Sequence, residues 1–228
     1  MYDNPHPFLA EISANVDDIA TAAVIGLLTT GGVEQITMGA VARREGVSAA
    51  AIKQRHHGRD GFLDGVVGRF TARWVHWVIG AGFHSVVPVR LPEDDRDLLG
   101  VRAWPMLRAL AEGEARAGRP ACAAHVAAAI AEEREHIAHH LAARLGHRPS
   151  AAQLELLVVI ADGLRNRVAD RTSPLPLDAA RRLLREHITA TFGLPLEQAD
   201  LWTDGPTDGP TDGPTDGEDE SPAVLPYW

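Results

Sequence analysis

VSAAAIKQRHHGRDGFLDGVV, from Val47 to Val67, is the stretch whose reading decides the fold. Ser48 can cap a short helix running to about Arg55, and Gly58 breaks the pattern before a long helix opens near Arg59. Just upstream, Thr37 can cap another short helix through Arg44, with Met38, Val41 and Ala42 facing inward. Gly46 and Val47 make the tight turn between the two. Two short helices joined by a Gly-containing turn and braced by a preceding helix form a helix-turn-helix. The small residues Ala49, Ala50 and Ala51 let the second helix approach base edges closely. Polar residues one turn later reach bases or phosphates, and the helix N-terminus offers backbone N–H groups to phosphate.

Outward from this stretch the sequence predicts helices throughout. A first helix starts after Asn15, with Ile19, Ala22, Ala23, Leu27 and Leu28 at helical spacing, and stops at Gly31-Gly32. A long helix runs from Arg59 to about Gly82, with an inner stripe of Phe62, Leu63, Val66, Phe70 and Trp77. The Pro-rich VVPVRLPEDD reads as a loop. Helices follow over about 94–115 (with a bend at Pro105), 120–145, 150–169 and 178–192. The third of these opens with a Ser150-x-x-Gln153 capping box. From Gly193 the composition changes: TDGP-TDGP-TDGP-TDGE, Thr203 to Glu218, is a four-residue repeat whose Gly and Pro oppose helix and strand alike. The expected organisation is a helix-turn-helix domain over 1–58, a helical domain over 59–193 and a disordered acidic tail over 194–228.

The chain has 228 residues and a net charge of −9, but that charge is local. Nine carboxylates lie from Glu197 onward while every Lys and Arg lies before residue 194, so the body is neutral. Across residues 1–60, Arg43, Arg44, Lys53, Arg55 and Arg59 face Asp3, Glu11, Asp17, Asp18, Glu34, Glu45 and Asp60. All five cations cluster in and beside the proposed reading helix, which is where phosphate neutralisation needs them. A single cysteine, Cys122, excludes an internal disulfide and a cysteine zinc site, and reads as a small buried hydrophobe. No apolar run approaches the ~18 residues of a membrane span, and the N-terminus has no basic leader segment, so a cytoplasmic protein is expected.

Residues 19–67 resemble the TetR family of bacterial transcriptional regulators. The likeness is carried by Ala22-Ala23, Gly31, Thr37 opening the second helix, Val41-Ala42, Gly46-Val47-Ser48 and Arg59 opening the fourth, in order and without a gap. It implies an all-α chain with an N-terminal DNA-binding domain and a C-terminal helical domain. The latter would hold a small-molecule pocket and form a homodimer through its last two long helices. It also implies that Ser48 to Arg55 enter the major groove of a double-stranded operator, with Ser48, Ala49 and Ala50 at the closest approach. Arg43, Arg44, Lys53 and Arg59 would then hold phosphates, Thr37 would add a phosphate contact, and Gln54 and Arg55 would read bases. Phe70, Trp74, Trp77, Phe83, His84, Trp104 and His125 are the candidate ligand-lining residues, with core packing as the plain alternative for each. Three positions depart from the family pattern. Lys53 and His56 stand where a phosphate-touching Tyr and a packing Phe are usual, and Gly39 stands where helix 2 often has Arg.

Two further constellations carry possible chemistry. Glu132, His136 and His140 share a helical face, with His139 beside them, a spacing that suits either a metal or a solvated charged face. Glu133-x-x-His136 fits half of a di-iron carboxylate site, but the sequence has no second Glu-x-x-His to complete it. His84-Ser85 lacks a nucleophile elbow, and no phosphate-cradling Gly loop occurs, so neither catalytic residues nor a cofactor is expected. The expected function is a ligand-released repressor. The alternative is a TetR-fold protein that has lost DNA binding and acts through its pocket as an enzyme or small-molecule binder.

Overall fold

The computed structural model describes residues 36–46, 48–80 and 89–194, with Gly26 and Gly32. These residues form seven helices and no strand: α1 (Met38–Glu45), α2 (Ala49–Arg55), α3 (Arg59–Gly80), α4 (Asp95–Arg116), α5 (Ala121–Leu145), α6 (Ala151–Val168) and α7 (Leu177–Phe192). The expected first helix, Phe83 and His84, and the tail from residue 195 lie outside the described residues.

Local chemistry explains where most helices begin. The Thr37 hydroxyl accepts from the Ala40 N–H at 3.1 Å, and Ser48 accepts from Ala51 at 3.1 Å. Asp94 accepts from Asp97 at 2.8 Å, and Ser150 and Gln153 close a capping box in both directions. Each cap satisfies a donor that the first helical turn leaves unpaired. Between α1 and α2, Gly46 takes φ +70°, a conformation in which a side chain is strained. Helix α4 runs without interruption from 95 to 116, with Pro105 inside it.

The turn from α2 into α3 is tighter than the sequence suggested. His57 and Gly58 both take positive φ, 56° and 111°, and the Gly58 N–H bonds back to the Lys53 carbonyl at 2.9 Å. A Cβ on Gly61 would stand 2.2 Å from the His56 carbonyl oxygen, so the close approach of α2 to α3 requires glycine there. We expect Gly61→Ala to cost about 1–3 kcal/mol through this forced clash. Urea denaturation checks it, and an unchanged midpoint would contradict the reading.

Apolar residues gather into two clusters that share α5. The first joins Ile36, Val41 and Ala42, with Ile52 of α2, to Phe62, Leu63, Val66 and Phe70 of α3, and continues into α4 and the start of α5. Burial of α1 and α2 against α3 is therefore what fixes the helix-turn-helix to the rest of the chain. His56 assists, packing edge-on against Phe62 at 5.3 Å between ring centroids. The second cluster joins the later half of α5 to α6 and α7, through Ile137, Leu141, Leu157, Leu184 and Ile188. The segment before α4 is irregular, as the Pro-rich sequence implied, yet Val89 and Leu91 are buried in this second cluster. Cys122 is buried, as its small apolar character suggested, and burial pushes its thiol pKa up.

Candidate nucleic-acid interface and buried aromatic site

Helix α2 buries a single side chain, Ile52, and exposes Ser48, Ala49, Ala50, Ala51, Lys53, Gln54 and Arg55. Thr37, Arg43 and Arg44 are exposed beside it. Within residues 36–58 four cations, Arg43, Arg44, Lys53 and Arg55, meet one carboxylate, Glu45. The other acidic residues of the N-terminal stretch, Asp3, Glu11, Asp17, Asp18 and Glu34, lie outside the described residues. The local balance at the two short helices is thus basic, although residues 1–60 as a whole are not. Sequence reasoning missed Gly26, whose bare α-carbon makes room for Arg44. A Cβ there would lie 2.6 Å from the Arg44 Nη2.

Arg59 has a partner the sequence did not reveal. Its guanidinium donates twice to Glu114 on α4, at 2.7 and 3.1 Å, and Arg119 donates to the same carboxylate at 2.5 Å. The hydrogen bonds from these two arginines hold the Glu114 carboxyl at a pKa of about 2. The result is a charged clasp between the start of α3, directly after α2, and the end of α4.

The four described aromatic candidates come together. Trp74 stacks parallel on Trp104 at 4.6 Å and meets Trp77 at 5.1 Å, and Phe70 lies near-parallel to Trp104 at 6.2 Å. All four are at most 3% exposed, so they are core as well as candidate lining. His125, on α5, packs against another part of α3: its Nε2 is 3.0 Å from Asp64 Oδ1, and its ring packs over Gly68.

Beneath the tryptophans lies a buried ionic layer that sequence reasoning missed. The Trp77 Nε1 donates to Asp97 at 2.7 Å, and Asp97 also accepts from Arg90 at 3.3 Å and from the Glu93 N–H at 3.1 Å. Arg165 reaches in from α6. It donates to Glu133 at 2.7 Å, to Asp162 at 3.2 Å and to the Arg90 carbonyl at 2.9 Å. Its guanidinium carbon stands 5.4 and 5.6 Å from the rings of Trp74 and Trp77, within cation–π range. Burial raises the carboxyl pKa of Asp97 and of Asp162 despite the neighbouring arginines. The missed residues did leave a trace. Arg165 follows Leu154, Val158 and Ala161 on the inner face of α6, and Glu133 falls between Ala129 and Ile137 on that of α5.

This placement changes the reading of the histidine-rich helix. Glu132 and His139 are exposed while His136 and His140 are not, so that face is only partly solvated, and Glu133, one position on, turns inward to Arg165. His136 and His140 are half-buried with rings 4.3 Å apart. Burial, then the neighbouring His140 and His139, lower the His136 pKa to about 4. Among the described residues no group of three or more possible ligands converges on a metal position, and no helix is long and apolar enough to cross a membrane.

No protein-family sequence model matches the chain, and no curated protein matches it in sequence. Solved structures do match its fold. One, described as a TetR-family transcriptional regulator from Rhodococcus sp., superposes with a TM-score of 0.60 at 20% identity, over 77% of this chain and 98% of that one. Another, described as a transcriptional regulator from Streptomyces coelicolor A3(2), gives a TM-score of 0.56 at 20% identity, over 78% and 98%. The chain therefore has the all-helical fold of TetR-type regulators.

Proposed function

With the TetR-regulator fold as the starting point, we propose that the protein is a cytoplasmic, homodimeric transcriptional repressor that binds operator DNA and is released by a small molecule. The observation that carries this reading is the exposed face of α2, with four cations to one carboxylate across the two short helices and small residues at its leading end. Ser48, Ala49 and Ala50 face the groove floor, Gln54 and Arg55 read base edges, and Arg43, Arg44, Lys53 and Thr37 contact phosphates. Dimerisation uses α6 and α7, which carry the exposed large apolar side chains among the described residues, Leu156, Val159 and Leu183, at 48%, 57% and 43%. A dimer of this kind reads two half-sites about 34–36 Å apart. Selection from a random DNA pool tests the proposal: enrichment of an inverted repeat with that spacing supports it, and enrichment of nothing sinks it.

The proposed release runs through α3. The helix carries Arg59 at the reading-head end and Trp74 and Trp77 at the aromatic end, so movement at one end tilts the other. The Glu114 clasp on Arg59 sets how far the head is held back against α4. We expect Glu114→Gln to free Arg59 for phosphate and to tighten DNA binding about three- to tenfold. The log–log salt dependence would steepen by about 0.9 for each further phosphate that the protein neutralises. Because the Glu114 pKa is depressed to about 2, the clasp is fully charged above about pH 4.5 and is lost only as pH falls toward 2. DNA affinity between pH 6 and 8 should thus owe nothing to the titration of this group. A Gln variant with unchanged affinity and salt slope contradicts the mechanism.

A further inference from the structure

Two buried donors in the aromatic cluster have no acceptor. Trp74 is 1% exposed and its indole Nε1 has no hydrogen-bond partner; Arg165 is 1% exposed and its Nη2 has none either. The remaining nitrogens of Arg165 are used, on Glu133, Asp162 and the Arg90 carbonyl. Trp77 is matched too, by Asp97. The two side chains are neighbours: the Arg165 guanidinium carbon stands 5.4 Å from the centre of the Trp74 ring. Folded proteins leave few buried donors unmatched, because each has given up water without replacement. Trp74 and Arg165 are set apart from the other buried nitrogens without a partner by sharing one aromatic cluster, where a single acceptor could serve both.

The charges there restrict what the acceptor can be. Arg90, Arg108 and Arg165 are answered by Asp97, Glu133 and Asp162, so the layer is balanced and demands no extra negative charge. A cation would meet the guanidinium as a like charge and would leave both donors unmatched. The residues around the two donors are aromatic: Trp74 stacked on Trp104, with Phe70 beside Trp104 and Trp77 beside Trp74.

We infer that the helical body binds a small, flat, largely apolar molecule through one oxygen acceptor, which takes hydrogen bonds from Trp74 Nε1 and Arg165 Nη2. This rests on the reading of the helical body as ligand-binding and gives that ligand its chemical class. A carbonyl and a carboxylate share the required chemistry.

Calorimetric titration of the full-length protein with three naphthalene probes tests it: 2-acetylnaphthalene, 2-naphthoate and 2-naphthylmethylammonium. At least one of the two acceptor probes is expected to bind at least tenfold tighter than the ammonium; which one does so tells a carbonyl ligand from a carboxylate. Trp74→Phe keeps a stacked ring but removes the donor, and is expected to weaken that probe about five- to tenfold. A purely structural role would move only the thermal midpoint. The inference is overturned if the ammonium binds as tightly as both acceptors, or if neither acceptor binds because water alone fills the place. Unchanged acceptor affinity in Trp74→Phe would overturn it as well. DNA is absent from these titrations. Acceptor binding by a chain with no operator affinity would therefore end the repressor reading and keep this site, and operator binding without acceptor selectivity would do the reverse.

Discussion

Replacing Lys53 and Arg55 together by alanine is expected to lower operator affinity more than a hundredfold while leaving stability unchanged. Both side chains are exposed on α2, whose only buried member is Ile52. Exposed positions of this kind normally change stability by no more than about 0.5 kcal/mol. In a dimer the double substitution removes four cations from the DNA face. Every phosphate left without its cation should reduce the slope of log affinity against log salt by about 0.9. Gln54→Ala should behave differently, costing about 1–3 kcal/mol on the cognate site and little on non-specific DNA, because a base reader discriminates and a phosphate contact does not. Anisotropy titrations at two salt concentrations separate these effects. Equal losses on cognate and scrambled DNA for all three residues would remove α2 from the major groove.

Glu133→Ala is expected to be the most damaging single change to the fold. Glu133 and Arg165 are both almost fully buried, and their ion pair at 2.7 Å ties α5 to α6 under the tryptophans. Deleting the carboxylate leaves a buried guanidinium with Asp162 as its remaining ionic partner, a loss of about 3–5 kcal/mol. Whole domains are stable by only about 5–15 kcal/mol, so the variant should be partly unfolded at physiological temperature. Combining it with Arg165→Met should recover much of the loss, because the cost lies in the unpaired charge rather than in the missing pair. Urea denaturation of the single and double variants measures both. A single variant within about 1 kcal/mol of the parent would show that the arginine tolerates isolation, and the buried ionic layer would lose its assigned role.

The difference between what the sequence disclosed and what it hid follows the range of the interactions. Thr37, Ser48 and the Ser150–Gln153 box act within three residues of themselves, so their caps are readable from spacing alone. The α3 stripe of Phe62, Leu63, Val66, Phe70 and Trp77 is readable because helical periodicity repeats one local rule, and all five are buried. Arg59–Glu114 and Arg165–Glu133 join residues 55 and 32 positions apart, and no local pattern pairs them. A charged residue on an inner stripe was the available hint: Glu114 follows Leu107, Leu110 and Ala111 on α4 as Arg165 follows Ala161 on α6. The cluster of cations at α1 and α2 was legible as well, because the charges could be read by position rather than as a sum.

The central claim is that α2 still reads DNA, and fluorescence anisotropy of the full-length protein against DNA from just upstream of its own gene tests it most directly. The titration is run at low and at moderate salt, beside a scrambled duplex of the same length. The expected result is cognate binding that persists at moderate salt and exceeds scrambled binding by at least a hundredfold. Equal, salt-labile binding to both duplexes, or none to either, would contradict it and leave the buried aromatic site as the working part of the molecule.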